Sequence, residues 1–160
     1  MTRQCSVKVL RRRTFLLGAG AAALVGALLK AVPEAQAGEE SAEYKAALEA
    51  LLGHATPRAG GITLDIPDNI ENGDYVPVAL AVDSPMTAEN HVKAIHLLST
   101  ANPRAAVATF RLTLLSGKAR VTSRMRLAKT QEVVALAELS DGTFLMTARN
   151  VEVKVGGCGM

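Results

Sequence analysis

The chain has 160 residues, with 18 Lys+Arg against 15 Asp+Glu, two Cys, three His and no Trp. That length holds one ordinary domain with a short extension and is too short for a barrel enzyme of about 250 residues. Two cysteines cannot build a framework of several disulfides, and three histidines without a Cys-x-x-Cys give no basis for a built-in metal site or other resident cofactor.

Residues 1–37 read as an export signal. They carry six basic residues (Arg3, Lys8, Arg11, Arg12, Arg13 and Lys30) and one acid, Glu34. An apolar run rich in Ala and Gly extends from Phe15 to Leu29, and Ala35-Gln36-Ala37 supplies a small-x-small cleavage site. The run, about 15 residues, falls short of the roughly 20 that span a bilayer, so cleavage is expected rather than anchoring, and no membrane association of the mature form. Arg12-Arg13-Thr14-Phe15-Leu16 fits the twin-arginine pattern, which points to the periplasm by a route that exports folded proteins. With no cofactor motif in the remainder, folding on a partner that travels along is the better reason for that route.

Cleavage leaves residues 38–160, with twelve basic residues against fourteen acidic ones and a net charge of −2. The basic excess belongs to the leader, so nucleic-acid binding has no electrostatic footing in the mature chain. Cys5 departs with the leader. Cys158 then stands as the one cysteine of an exported protein and has no internal disulfide partner.

A helix is predicted over 39–55. Glu39, Glu40 and Glu43 suit the positive end of its dipole, Ser41 is a cap, and Tyr44, Ala47, Leu48, Leu51 and Leu52 form one apolar face. Gly53 and Pro57 mark its end. From Ile62 the period becomes two: strands are expected at 62–66, 75–82, 92–99, 105–115, 118–127, 132–139 and 143–155, with Val76, Val78, Leu80 and Val82 on one face and Pro77 implying an edge or a strand start. Leu115-Ser116-Gly117-Lys118 and Ser140-Asp141-Gly142-Thr143 read as hairpin connections. Short strands at this spacing predict an all-β protein, an immunoglobulin-like β-sandwich over 38–155 with a short N-terminal helix.

The last strand, through Val155, leads into Gly156-Gly157-Cys158-Gly159-Met160. Glycine maximises backbone freedom, so 156–160 read as a flexible arm presenting a thiol, with Gly156, Gly157 and Gly159 as its mobile links. Nothing adjacent strongly lowers the thiol from the ordinary value of about 8.5, which suits a carrier whose partner supplies activation. A lone cysteine is often a small buried hydrophobe, but a glycine-rich terminus has nothing to bury it in. Other candidates are weaker. His91 and His96, five apart in a strand, point to opposite faces and His54 lies in the helical segment, so no shared metal site is expected. Ser84 lacks a nucleophile elbow, and Asp65, Asp68 and Asp74 read as solvated acids. Arg120, Arg124 and Arg126 form a basic patch, read as a solvated face or else as a docking surface for an anion.

The Gly156-Gly157-Cys158-Gly159 tail behind a twin-arginine signal resembles SoxY, the sulfur-carrier family of thiosulfate oxidation. Glu71-Asn72-Gly73-Asp74-Tyr75-Val76-Pro77-Val78, Ser84-Pro85-Met86-Thr87, Asn102-Pro103 and Arg124-Met125-Arg126-Leu127-Ala128 carry the resemblance across about residues 40 to 160. One departure is Met160, where the family has a further Gly. The resemblance implies an immunoglobulin-like sandwich, a SoxZ-like subunit as heterodimer partner, and covalent attachment of substrate at Cys158. It implies transient visits from SoxAX, which loads thiosulfate, from SoxB, which removes sulfate, and from a SoxCD-like oxidising enzyme where present. Catalytic groups would then belong to the partners and not to this chain. Two other readings of the tail are a thiol-based sulfurtransferase and a structural module dimerising through Cys158.

Overall fold

The computed structural model describes residues 40–157; the expected leader, and Cys158, Gly159 and Met160 of the expected arm, lie outside the described residues. Helix α1 (Ala42–Leu52) starts where the Ser41 hydroxyl accepts the Tyr44 N–H at 3.1 Å and stops at Gly53, whose φ of 56° no longer continues the helix. Those two residues make it shorter than the predicted 39–55. Its apolar face buries Tyr44 and lays Ala47, Leu48 and Leu51 against Leu98, Ala105 and Val134.

Nine strands follow among the described residues: β1 (Arg58–Ala59), β2 (Ile62–Asp65), β3 (Asn69–Asn72), β4 (Val76–Val82), β5 (Val92–Ser99), β6 (Ala106–Arg111), β7 (Arg120–Met125), β8 (Gln131–Leu139) and β9 (Phe144–Val155). One sheet has the order β1-β9-β8-β5-β6, with β3 also paired to β9; the other is β2-β4-β7. The predicted all-β, immunoglobulin-like sandwich is what the chain forms. Its core lies between the sheets, where Ile62, Leu64, Val76, Val78 and Leu80 meet Ile95, Leu97, Val133, Ala135 and Val151. The alternation read in 75–82 is the observed one, since Val76, Val78, Leu80 and Val82 are buried. In β5 and β8 the buried residues run almost without break, because α1 covers the outer face of that sheet as the second sheet covers the inner one.

Pro77 is the second residue of β4, which is the central strand of its sheet. The Val82 N–H reaches Ala119 beyond β7, so alternate residues back to Val76 face β7 and Pro77 faces the β2 side. There β2 has already ended, its last pair being Asp65 with Ala79, so the missing donor interrupts no ladder.

Two expectations need correction. The segment 115–118 is not a hairpin: β6 pairs with β5 and β7 with β4, so the chain crosses from one sheet to the other through a 3-10 turn at Leu114–Ser116. The predicted strand over 105–115 accordingly ends at Arg111. Strands β1 and β3 were not foreseen; both are short and exist by parallel pairing to opposite halves of β9. The turn at 140–143 is the hairpin expected, with Leu139 N–H donating to Thr143 O at 2.9 Å.

His96 sits in β5 at 7% exposure, its Nδ1 3.0 Å from Thr109 Oγ1. Burial lowers its pKa below the ordinary value of 6.5, Glu138 opposing and Arg111 assisting. Above about pH 6.5 the ring is neutral folded and unfolded, and contributes no pH dependence; below it the unfolded chain takes up the proton first. Stability should therefore fall as pH drops from 6.5 toward the folded-state value. Thermal unfolding of His96→Gln across pH 5 to 7.5 should show a flatter slope on the acid side than the parent chain.

Candidate functional site

Only one region joins the expected site to described structure: the far end of β9. Parallel pairing with β3 runs to Asn72 opposite Val155, and just past it the Gly73 N–H donates to Val155 O at 2.8 Å. The Leu127 N–H donates to Gly73 O at 2.8 Å, and the Gly157 N–H donates to Leu127 O at 2.9 Å. Three chain segments thus meet backbone to backbone at residues 73, 127 and 157.

Such an approach leaves no room for side chains. A Cβ on Gly73 would collide with Leu127 O and lie 2.8 Å from Gly157 N. On Gly156 it would collide with Ala128 O, and on Gly157 it would stand 2.7 Å from Gly73 O and 2.9 Å from Asp74 N. None of the three has a positive φ, unlike Gly60 or Gly142, so space rather than backbone conformation requires glycine here. Gly157 is buried and its N–H is hydrogen-bonded, whereas Gly156 is exposed but has no room for a Cβ beside the Ala128 carbonyl; the expected arm continues beyond the described residues.

A buried polar network backs this junction. Fully buried Gln131 accepts the Ala101 N–H at 2.8 Å, and its Nε2 donates to Asn102 Oδ1 at 2.7 Å and to Lys129 O at 3.1 Å. Asn102 Oδ1 also accepts the Ala128 N–H at 2.9 Å, while Asn102 Nδ2 donates to Arg126 O at 2.8 Å. Residues 126–129 are therefore held from behind while Leu127 and Ala128 meet the glycines in front. Around the junction the surface carries Tyr75, 61% exposed, with the Arg124 guanidinium 4.4 Å from its ring centroid, and Val155, 62% exposed. Lys154 Nζ meets Glu71 Oε1 at 2.6 Å on the same edge.

Three of the four sequence stretches that carried the family resemblance converge here: 71–78, 102–103 and 124–128. The fourth, 84–87, lies beyond the opposite end of β4 and forms a local turn in which Ser84 Oγ accepts the Met86 N–H at 3.3 Å. The other candidates are dispersed. His91 Nδ1 contacts Thr87 O, and the His91 carbonyl accepts the Ser140 N–H at the β8–β9 turn. From that turn β9 runs twelve residues to Val155, on the order of 35 Å. His96 is across from Leu136, itself across from Met146, likewise toward the start of β9. Asp68 pairs with Arg149 at 2.7 Å, Asp65 is exposed on β2, and His54 is exposed beyond α1. Arg120 and Arg124 share the outer face of β7, and Arg126 is exposed just past it. Among the described residues no three His, Cys, Asp or Glu gather as a metal site would require. Sequence reasoning did not single out Gly73, Asn102 or Gln131 as supports of the tail. The sequence signal was Gly73 and Asn102 lying within stretches quoted for their family likeness.

The family described as sulfur oxidation protein SoxY matches residues 48–158. The structure of the sulfur carrier protein SoxY from Chlorobium limicola f thiosulfatophilum aligns with a TM-score of 0.59 at 30% identity, covering 72% of this chain and 100% of that one. Superoxide reductase (neelaredoxin) from Ignicoccus hospitalis aligns at 0.54 with 14% identity over 59% of this chain and 81% of that one. Superoxide reductase from Nanoarchaeum equitans aligns at 0.52 with 9% identity over 60% and 100%. These last two share the fold alone. No curated protein sequence matches the chain. By the span of the family match and its agreement with the Chlorobium structure, the chain belongs to the SoxY family of sulfur oxidation proteins.

Proposed function

We propose that this protein is the sulfur carrier of a periplasmic thiosulfate-oxidising system, exported by the twin-arginine route and holding pathway intermediates covalently on Cys158. The observation that carries the reading is a family match that runs through residue 158 and so includes the thiol and both preceding glycines. The position of His91 and His96 toward the other end of β9 supports a carrier over a self-activating sulfurtransferase, which needs a base beside its nucleophile.

The chemistry is then that of a handle. The Cys158 thiolate and thiosulfate join through a new S–S bond, two electrons leaving to the haem partner, SoxAX. Water attacks the terminal sulfonate with the help of SoxB, releasing sulfate and leaving a persulfide on Cys158. A SoxCD-like enzyme oxidises that sulfur, and a second hydrolysis restores the thiol. Catalytic groups and electron acceptors reside in the partners, and a SoxZ-like subunit is the standing one. Persulfide and thiosulfonate both belong to the exchangeable sulfur chemistry of an accessible cysteine.

Intact mass of the exported protein from thiosulfate-oxidising cells tests this, before and after mild reductant, with Cys158→Ser alongside. Reducible adducts of sulfur and sulfonate units at Cys158, absent from the variant, are expected. A bare thiol during active oxidation would overturn the proposal, and a disulfide dimer as the sole form would put structural cross-linking in its place.

A further inference from the structure

The expected arm begins with two glycines, yet both are seated. Gly157 is fixed by its hydrogen bond to Leu127 O, and Gly156 lies against the Ala128 carbonyl closely enough to exclude a methyl group. Gly73 closes the other side: it contacts Gly157 through its backbone, receives the Leu127 N–H and binds Val155 O, so one residue touches every segment of the junction. Its φ demands no glycine, and the nearest atoms a side chain would meet there belong to the tail and to Leu127.

We infer that Gly73 is a positioning residue for the carried sulfur: with the Leu127 and Ala128 carbonyls it forms a backbone socket that seats Gly156-Gly157 and fixes the point from which Cys158 is presented. Cys158 is the next residue after Gly157 in the sequence, so the seat at Gly157 sets the base from which the thiol-bearing end departs. The surface that partner enzymes approach while the sulfur is processed then includes the rim already described, Tyr75 with Arg124 over its ring, and Val155. In this arrangement the two glycines before the cysteine serve close packing. The inference rests on the carrier reading for its function but on described backbone contacts for its geometry.

The test uses the chain from residue 38 in complex with its SoxZ-like subunit, with Cys158 as the chain's single cysteine, carrying a nitroxide on that thiol. Gly73→Ala and Gly157→Ala attack the socket from its two sides. Gly157 lies beyond the last strand, so its variant keeps the sandwich intact should Gly73→Ala fail to fold. Leu115→Ala, on the exposed crossover, is the control. Expected is a narrower, more mobile nitroxide spectrum in both glycine variants and a parent-like one in the control. Thiosulfate loading of the unlabelled variants by the partner oxidase should fall by about ten- to a hundredfold, since a misplacement of about 1 Å costs up to about a hundredfold in rate. Alkylation by iodoacetamide, which needs only exposure, should not fall. That split between partner-dependent and small-reagent reaction is one a merely destabilised fold does not produce. Parent-like spectra and loading in Gly157→Ala would overturn the socket while leaving carrier adducts on Cys158 intact. Altered spectra without any sulfur adduct on the parent chain would instead overturn the role assigned to the carried sulfur.

Discussion

Replacing Gln131 by Leu should lower the thermal midpoint by about 10 °C. The side chain is fully buried, and it makes three hydrogen bonds, to Ala101 N, Asn102 Oδ1 and Lys129 O. Leucine nearly fills the same volume, so the loss comes from polar groups left without partners and not from a cavity. The Ala101 N–H and the Lys129 carbonyl lose their partner and Asn102 Oδ1 keeps only the Ala128 N–H; at about 1 kcal/mol for each of the three lost bonds the sum is about 3 kcal/mol, and a domain of this size converts that to roughly 10 °C. The effect should also be local in kind. Asn102 holds the Ala128 N–H and Arg126 O, so loosening it frees the segment whose carbonyls seat the tail. Amide exchange should therefore quicken at Leu127 and Gly157 more than in β5. A midpoint within 2 °C of the parent, read on the same scale, would show that this network does not hold the junction.

The fold was legible where one physical rule acted alone. Strand β4 shows its buried face by strict alternation, because its outer side meets water. Ser41 and Gly53 bound the helix through capping chemistry that is local in sequence. What sequence reading missed depends on contacts between distant segments. Strands β1 and β3 have two and four residues and no period of their own; they are strands because β9 lies alongside. The turn at 115–118 has the residues of a hairpin, but whether its flanks pair with each other or with separate sheets is decided by β4 and β5. Glycine near a chain end generally means freedom, and nothing local to Gly157 shows that its N–H finds Leu127 O, 30 residues earlier, or that Gly73, 84 residues earlier, closes against it. Gln131 shows the same limit, since a glutamine entering a strand looks solvent-facing until Asn102 and Ala101 are brought to it.

Leu127→Ala should cost about 2–5 kcal/mol, the range for removing a fully buried leucine from a packed core. Its side chain is 0% exposed and shares the core with Ile70, Val76, Met125 and Val153. Ile95→Ala, equally buried in the same core, should cost a similar amount and serves as the comparison. The two should part company at the tail. Leu127 alone uses its backbone on both sides of the socket, donating to Gly73 O and accepting from Gly157 N. Its anchored side chain is what holds that backbone still, so shortening it allows residue 127 to move where shortening Ile95 does not. At matched loss of stability, exchange at the Gly157 amide should rise in Leu127→Ala and remain parent-like in Ile95→Ala. Equal exchange in the two would mean that the junction is secured by the Asn102–Gln131 network alone. A difference would place the origin of the tail's position in the hydrophobic core, one residue removed from the glycines that seat it.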